Sequence, residues 1–475
     1  MGLPPGPCCG CMHIGDTDSR FTFYRLRLCR PRPAMEVETP MTVLRPDFPD
    51  HSSPFSREQE RQRKEAAILS AAARRFEAEG VHATRLEDIA ADLGLTKTGI
   101  GYYFASKEDL AGEVYRASAR ALGEAVATAR QQEGNAASRI HTLFRAFADQ
   151  IGAVVDGRRP HLAAINDLDA LGADLQASIA ADLSGCVSDV NDMIVDWIEE
   201  TGAPLGRPEP ATFFLFGLLD WMSGWPARKR DWNTRTAADT LFAILDGGLG
   251  ANSDWQPAVL TPGSPDVGVP QVFDREARNR MKREAFLKAG TRFFNKKGFG
   301  GVALSEIAAS LGVTRGAFYY HIPDKEQLLE QCLERSFATV EEALDRAEGD
   351  GRSGLAVVEH TIRDLIYQQA SGVMPLLRPS LSAALPEPRQ RRHAARLRNI
   401  ARRFGDALEQ AMTDGQARPV DVQIAERILT HSVFLNGGYT IAAANSFTDW
   451  RISEDPMTAT VDYVYILMRG LGAQA

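Results

Sequence analysis

Two short stretches of this chain concentrate side chains able to grip phosphate oxygens. The first offers Thr96, Lys97, Thr98, Tyr102, Tyr103 and Lys107, and the second Thr314, Arg315, Gly316, Tyr319, Tyr320, His321 and Lys325. Hydroxyls and cationic groups of this kind donate to backbone phosphates and fix a protein's register on duplex DNA without themselves reading bases. The rings of Tyr319 and Tyr320 have a competing role as packing residues at the end of a short helix. Other chemistry has less support. No phosphate-binding loop, metal-ligand pair or nucleophile with a base at recognisable spacing occurs, and His161, Asp167 and Asp169 read as ordinary loop residues. Neither catalysis nor a cofactor is therefore expected. Cys8, Cys9, Cys11 and His13 lie close together, but Pro and Gly surround them and no second cluster completes a finger, so no metal is expected. The six cysteines are too scattered for a disulfide scaffold.

The elements that must position these side chains form an internal repeat. Residues 67–110 align without a gap on residues 285–328, with about 17 identities in 44 positions. Phe76 matches Phe294, Gly80 matches Gly298, Leu93-Gly94 matches Leu311-Gly312, and Thr96 matches Thr314. Each copy reads as three short helices running into a fourth. In the first, Ile68, Leu69, Ala72, Ala73 and Phe76 recur at helical spacing and Gly80 supplies a stop. Thr84 with Glu87 has the spacing of a capping box. Gly94 suits a tight turn needing positive φ. Thr96 then caps a short helix burying Ile100 with Phe104 or Tyr103, and another helix begins near Ser106. The second copy repeats the plan, with Thr314 and Asp324 as caps. Two helices joined by so short a Gly-containing turn make a helix-turn-helix, whose second helix can enter a major groove.

At this point the chain resembles the TetR family of bacterial transcriptional repressors. Leu311 to Leu328, LGVTRGAFYYHIPDKEQL, is very like that family's recognition helix and the start of its fourth helix; Leu93 to Leu110, LGLTKTGIGYYFASKEDL, matches in the same register. The resemblance covers roughly 60 residues in each half. It implies an all-α protein in which two complete units, each a DNA-binding head on a helical ligand-binding and dimerisation body, are fused in tandem. It also implies that a small molecule bound in a body changes head spacing and releases a double-stranded operator, and that Thr84 both caps helix two and reaches the DNA backbone. Pairing is implied as a homodimer or as an intramolecular pseudo-dimer. The copies depart from the pattern differently. Gly101 stands where the second copy has Tyr319, and Gly99 adds flexibility, so the first reading helix should be less rigid and lack one phosphate contact. Val302 stands where the first has Thr84. The expected function is a sequence-specific regulator, a repressor with two non-identical heads; the alternative is that one head has lost DNA binding and serves protein interaction or pseudo-dimer pairing.

At 475 residues, with 44% hydrophobic content, the chain is long enough for several domains. The expected division is an unstructured extension over 1–55, a first head over 56–110 and its body over 111–246. A linker over 247–273 then leads to a second head over 274–328 and a second body over 329–475. The formal net charge of −8 argues against general coating of nucleic acid, but a local basic surface can sit on an acidic body. Arg57, Arg61, Arg63 and Lys64 precede one head, and Arg275, Arg278, Arg280, Lys282 and Arg283 the other. No run of 18 apolar residues and no signal peptide are apparent, so a cytoplasmic protein without a membrane partner is expected.

In the bodies, 111–130, a segment around Leu143, Phe144 and Phe147, then 162–179 and 187–198 read as helices. The stretch from Phe213 to Trp225 is apolar on nearly every face and must be covered by protein all round. Its counterpart runs over 425–444, and a last helix over 461–471. Phe144, Phe147, Phe213, Phe216, Trp221, Trp225, Phe434 and Tyr439 are the candidates for body packing or for holding a hydrophobic effector, an acyl-CoA or an aromatic compound. Arg389, Arg391, Arg392, His393, Arg396, Arg398, Arg402 and Arg403 form a basic run, either a solvated face balancing the acidic body or a contact for DNA or an anionic effector.

Overall fold

The computed structural model describes residues 54–82, 84–163, 165, 168, 171–223, 233–252, 275–434 and 455–472. In the first half, α1 (Pro54–Glu79), α2 (Leu86–Asp92) and α3 (Lys97–Gly101) form the head. The body comprises α4 (Lys107–Arg130), α5 (Ala136–Val155), α6 (Ala173–Thr201), α7 (Glu209–Ser223) and α8 (Thr234–Gly247). The second half repeats this order as α9 (Arg275–Lys297), α10 (Leu304–Ser310), α11 (Arg315–His321), α12 (Lys325–Gly349), α13 (Gly354–Ala370), α14 (Glu387–Thr413), α15 (Val422–Val433) and α16 (Pro456–Arg469). The fold is all-α, with a short 3-10 turn at Pro379–Ala384 and an isolated bridge between Gly250 and Ala417.

Local chemistry sets the helix starts. Ser106 accepts from the Asp109 amide at 3.0 Å to open α4, Asn135 from Ser138 at 3.0 Å to open α5, and Asp324 from Gln327 at 2.7 Å to open α12. Each bond satisfies one of the amides that a helix N-terminus leaves without an internal partner. α4 and α12 run unbroken from head into body, so each head is mounted on a continuous helical lever. Of the helix expected over 162–179, residues 173–179 are α-helical, whereas the described residues of 162–171 are not α-helical. After Pro160 the chain is tied by Ala163 N–H to the Ser118 hydroxyl at 3.0 Å, and Leu162, Ile165 and Leu168 are buried in the core.

In each body one helix is central: α5 packs on α4, α6 and α8, and α13 on α12, α14 and α16. The apolar helix α7 is covered on one side by α5 and α6. Its other side meets α15 and α16 of the second half, and α16 also packs on α8. Phe213, Phe214, Leu215 and Phe216 are consequently all buried, and the Phe214 ring meets Tyr463 edge-on with centroids 5.4 Å apart. The two halves thus share one hydrophobic core through equivalent helices, α7 and α8 against α15 and α16.

Backbone bonds seal this contact. Leu249 N–H donates to the Leu467 carbonyl at 2.9 Å and Gly250 to Met468 at 2.9 Å; in return Leu471 donates to Leu245 at 2.8 Å and Gly472 to Asp246 at 2.7 Å. The helix ends cross so closely that only glycine fits. A β-carbon on Gly248 (φ +63) would stand 2.4 Å from the Met468 carbonyl, and one on Gly470 (φ +72) 2.2 Å from that of Asp246. Residues 249–252, within the linker expected over 247–273, are bonded to the opposite half. Described residues of both halves fall in one compact unit, Pro54–Ala475.

Candidate nucleic-acid interface

Both helix-turn-helix turns are built as their residue types dictate. Gly94 and Gly312 hold φ of +65° and +64°, conformations that cost an L side chain strain. Thr96 accepts from Gly99 N–H at 3.1 Å, and Thr314 from Ala317 N–H at 3.3 Å, so both hydroxyls cap the reading helices. Buried Ile100 and Phe318 pin α3 and α11 to their heads.

The outer faces of these helices differ. On α3, Lys97 and Thr98 are exposed; Tyr102 comes next at 76% exposure, with Tyr103 half-buried and edge-on to it. On α11, Arg315, Gly316, Tyr319 and Tyr320 are exposed, while His321 is half-buried and lies against Phe286 with centroids 5.6 Å apart. Tyr320, at 83% exposure, does not pack into the head, nor does Tyr102 at the equivalent position. Exposed phenols on an otherwise well-packed domain are free to meet a partner. The reading helices also differ in length: α3 has 5 residues and α11 has 7. Gly101 in place of Tyr319, with Gly99 two residues earlier, removes helix-forming residues where the longer helix continues.

Charge separates the two faces further. Lys97 Nζ pairs with Glu87 at 2.8 Å, and this hydrogen bond holds the Glu87 carboxyl below its ordinary range. The position equivalent to Glu87 is Ser305, so the Arg315 guanidinium has no carboxylate from that place. Sequence reasoning passed over Glu87 as a modulator; the signal was its replacement by Ser305 in the repeat.

Three expected site residues are placed elsewhere than on the outer face. Thr84 is 1% exposed, and its hydroxyl donates to the Gly80 carbonyl at 2.8 Å. The N-cap of α2 is Arg85, which makes no side-chain cap bond, so the capping box expected from Thr84 and Glu87 does not form. Val302 fills the same buried spot in the second copy. Lys107 and Lys325 turn inward as well. Lys107 Nζ donates to the carbonyls of His82 at 3.0 Å and Thr84 at 2.9 Å, and Lys325 Nζ donates to Val302 at 3.2 Å while lying 4.5 Å from the Phe299 ring centroid. Burial lowers the pKa of both ammonium groups. Their shared work is to brace the turn between the first two helices. There the two heads meet, since a β-carbon on Gly301 would lie 3.3 Å from the His82 ring.

The basic run on α14 is occupied by the protein itself. Arg389 and Arg392 pair with Glu330 at 3.0 and 3.1 Å; Arg396 pairs with Glu334 and, at 2.6 Å, with Glu341; Arg403 pairs with Asp345 at 2.7 Å and Glu348 at 2.8 Å. These acids lie on α12, so the run is one side of an interhelical ladder. Arg398 and Arg402 remain exposed. His393 is buried at 1% exposure against Phe337, and burial holds its pKa low.

Phe144, Phe147, Phe213, Phe216, Trp221 and Phe434 are all buried in the shared core. Trp225, Tyr439 and the cluster Cys8, Cys9, Cys11 and His13 lie outside the described residues. Among the described residues, no group of His, Cys, Asp or Glu is placed to hold a metal, and no helix is long and apolar enough to cross a membrane.

Comparison with known proteins agrees with this geometry. The model of the bacterial regulatory proteins of the tetR family matches twice, at residues 68–114 and 286–332. The chain is 55% identical over 47 residues to the HTH-type transcriptional regulator RutR of Escherichia coli strain K12, covering 10% of this chain and 22% of RutR. It is 37% identical over 81 residues to the HTH-type transcriptional repressor BepR of Brucella suis biovar 1, covering 17% and 39% respectively. The matches thus span well under half of these relatives. A TetR-family regulator from Bordetella parapertussis aligns with a TM-score of 0.33 at 20% identity, over 38% of this chain and 93% of its own. The structure of AibR in complex with isovaleryl coenzyme A and operator DNA aligns with a TM-score of 0.32 at 23% identity, over 38% and 97%. Both curated relatives are named for transcriptional regulation, BepR as a repressor and RutR as a regulator. Two regions of the chain, each containing a helix-turn-helix, are thus similar to the bacterial regulatory proteins of the tetR family.

Proposed function

We propose that this protein is a sequence-specific DNA-binding transcriptional regulator that places two unlike heads on one operator from a single chain. The observation that carries the proposal is the α7/α8 contact with α15/α16, which joins two helix-turn-helix heads with different outer faces inside one polypeptide. A symmetric dimer presents one surface twice and suits a palindrome. A pair built from Lys97, Thr98 and Tyr102 on one side and Arg315, Tyr319 and Tyr320 on the other suits two unlike half-sites. Lys107 and Lys325 act as braces for the heads, and Thr84 as a core residue.

Repression released by a hydrophobic effector, an acyl-CoA or an aromatic compound, completes the reading. Its support is the apolar character of the first body, in whose core Phe144, Phe147 and Phe216 are buried. Such a compound acts only if it binds the DNA-competent and incompetent arrangements with different affinity. Selection of bound fragments from random duplex DNA tests the proposal. Two unlike half-sites at fixed spacing are expected, with Tyr319→Ala relaxing one and Lys97→Ala weakening the other. An inverted repeat of one half-site, or no enrichment, overturns it.

One feature favours a second reading, in which only the second head binds DNA. The short α3 and the engagement of Lys97 by Glu87 both weaken the first reading face. In that case selection returns a single half-site, untouched by Lys97→Ala.

A further inference from the structure

A cleft of about 750 Å³ lies between the first head and its body, away from the outer faces of α3 and α11. One wall is a stripe of α1 containing Gln62, Arg63, Ala66, Ser70 and Arg74; the other is the end of α5 with the loop leaving it, including Val154, Arg158, Arg159 and His161. Spacings of three and four residues put the α1 members on one helix face. Arg63 and Arg74 are then about 16 Å apart along that helix.

The charges here are matched only in part by the protein. Arg63 is exposed, with no carboxylate partner among the described residues, and Arg74 is exposed while the nearby Asp92 is taken by Arg75 at 2.6 Å. Arg158 pairs with Asp156 at 2.8 Å in a solvent-exposed contact, and Arg159 with Glu124 at 2.5 Å. His161 is held by Glu77 at 2.8 Å.

The second half shows that the fold does not need these groups. Ala163 and Leu377 are equivalent, because their amides meet the equivalent hydroxyls of Ser118 and Ser336 at 3.0 and 2.8 Å. Counting back, Gly372, Val373 and Pro375 replace Arg158, Arg159 and His161, and Met281 replaces Arg63. The retained arginine, Arg292, donates to the Gly372 carbonyl at 2.7 Å, and Arg335 donates to that of Pro375 at 2.9 Å. The second copy thus engages these positions with its own carbonyls, whereas in the first Arg63 and Arg74 line an opening without a carboxylate pair among the described residues, beside the ion-paired Arg158 and Arg159.

We infer that the first half binds an organic oxyanion, phosphorylated or carboxylated, in this cleft, and that the second half has lost the site. Guanidinium forks match phosphate and carboxylate oxygens in bidentate geometry, and Ala66, Ala67, Val154 and Val155 give an apolar surface for the rest of the ligand. The occupant bridges α1 of the head to the end of α5 in the body, so it fixes the angle between them. The inference requires DNA binding by neither head.

Calorimetric titration of the full chain with pyrophosphate and with citrate, at matched ionic strength, tests it. At least one anion should bind, and the triple variant Arg63→Met/Arg158→Gly/Arg159→Val, which installs the second copy's residues, should weaken it about tenfold or more. Arg391→Ala, on remote α14, should leave it unchanged. Loss of pyrophosphate binding identifies a phosphate site, and loss of citrate binding a carboxylate site. If the triple variant fails to fold, Arg63→Met alone, at an exposed position, should still weaken binding severalfold. Binding of neither anion, or equal binding by wild type and variants, overturns the inference.

Discussion

The contact between halves can be tested at Phe214 and Tyr463, which meet across it. Phe214 is 1% exposed and Tyr463 fully buried, so truncating either to alanine removes a whole buried ring. Each loss costs about 3–5 kcal/mol once the cavity left behind is included. With centroids 5.4 Å apart and the rings nearly perpendicular, the pair adds about 0.5–1.5 kcal/mol beyond burial. The two truncations also open adjoining space, so the double variant should cost less than the sum of the singles by about 1–3 kcal/mol. Urea unfolding of wild type, Phe214→Ala, Tyr463→Ala and the double variant measures that coupling. Because both rings belong to one chain, the midpoints should not move with protein concentration. Additivity within about 0.5 kcal/mol, or midpoints that rise with concentration, would refute an intramolecular pair.

Three further outcomes are expected from individual side chains. Lys325→Met should destabilise the second head by about 1.5–3 kcal/mol, the worth of a charged donor on a backbone carbonyl, while leaving the salt slope of DNA binding unchanged; Arg315→Ala should instead make that slope shallower by about one, and paired stability and salt-titration measurements separate the two. Gly101→Ala should stabilise the first head by about 0.5–1 kcal/mol and strengthen its half-site, since its φ is not positive and a β-carbon there meets nothing within 4 Å; unchanged stability with unchanged affinity would be the adverse result. Burial between the halves raises the Asp462 pKa above the ordinary carboxylate range, even though its carboxylate accepts from Gly206 N–H at 3.3 Å. The folded state therefore holds this proton more tightly than the unfolded state. Its stabilising contribution is full below the unfolded pKa and is lost as pH rises through the folded one. Asp462→Asn should remove that part of the decline in a series of unfolding curves from about pH 4 to pH 7.

The repeated heads were legible in the sequence because their turns demand particular residues. Gly94 and Gly312 sit at positive φ, and Thr96, Thr314, Ser106 and Asp324 cap helices, so those positions announce themselves. Residue type alone did not reveal where a side chain points. Thr84 has the spacing of a cap yet turns its hydroxyl to the Gly80 carbonyl, and Lys107 and Lys325 resemble phosphate contacts yet brace a turn. The α14 arginines are a ladder only because α12 brings Glu330, Glu334, Glu341 and Glu348 alongside, a coincidence of two faces distant in sequence. Leu162, Ile165 and Leu168 recur at helical spacing, yet they are buried from a segment that is not α-helical. The apolar excess of Phe213–Met222 did signal a helix covered all round. The resemblance implied pairing of the units through such body helices; the particular partners, α15 and α16, and the crossing at Gly248 and Gly470 came from the structure.

The most direct test of the central claim is the mass of the complex with a selected operator carrying two half-sites, measured by native mass spectrometry. One chain of 52.0 kDa per duplex, protecting two unlike half-sites, is expected. Two chains on that duplex, each contributing the same head to identical half-sites, would contradict it.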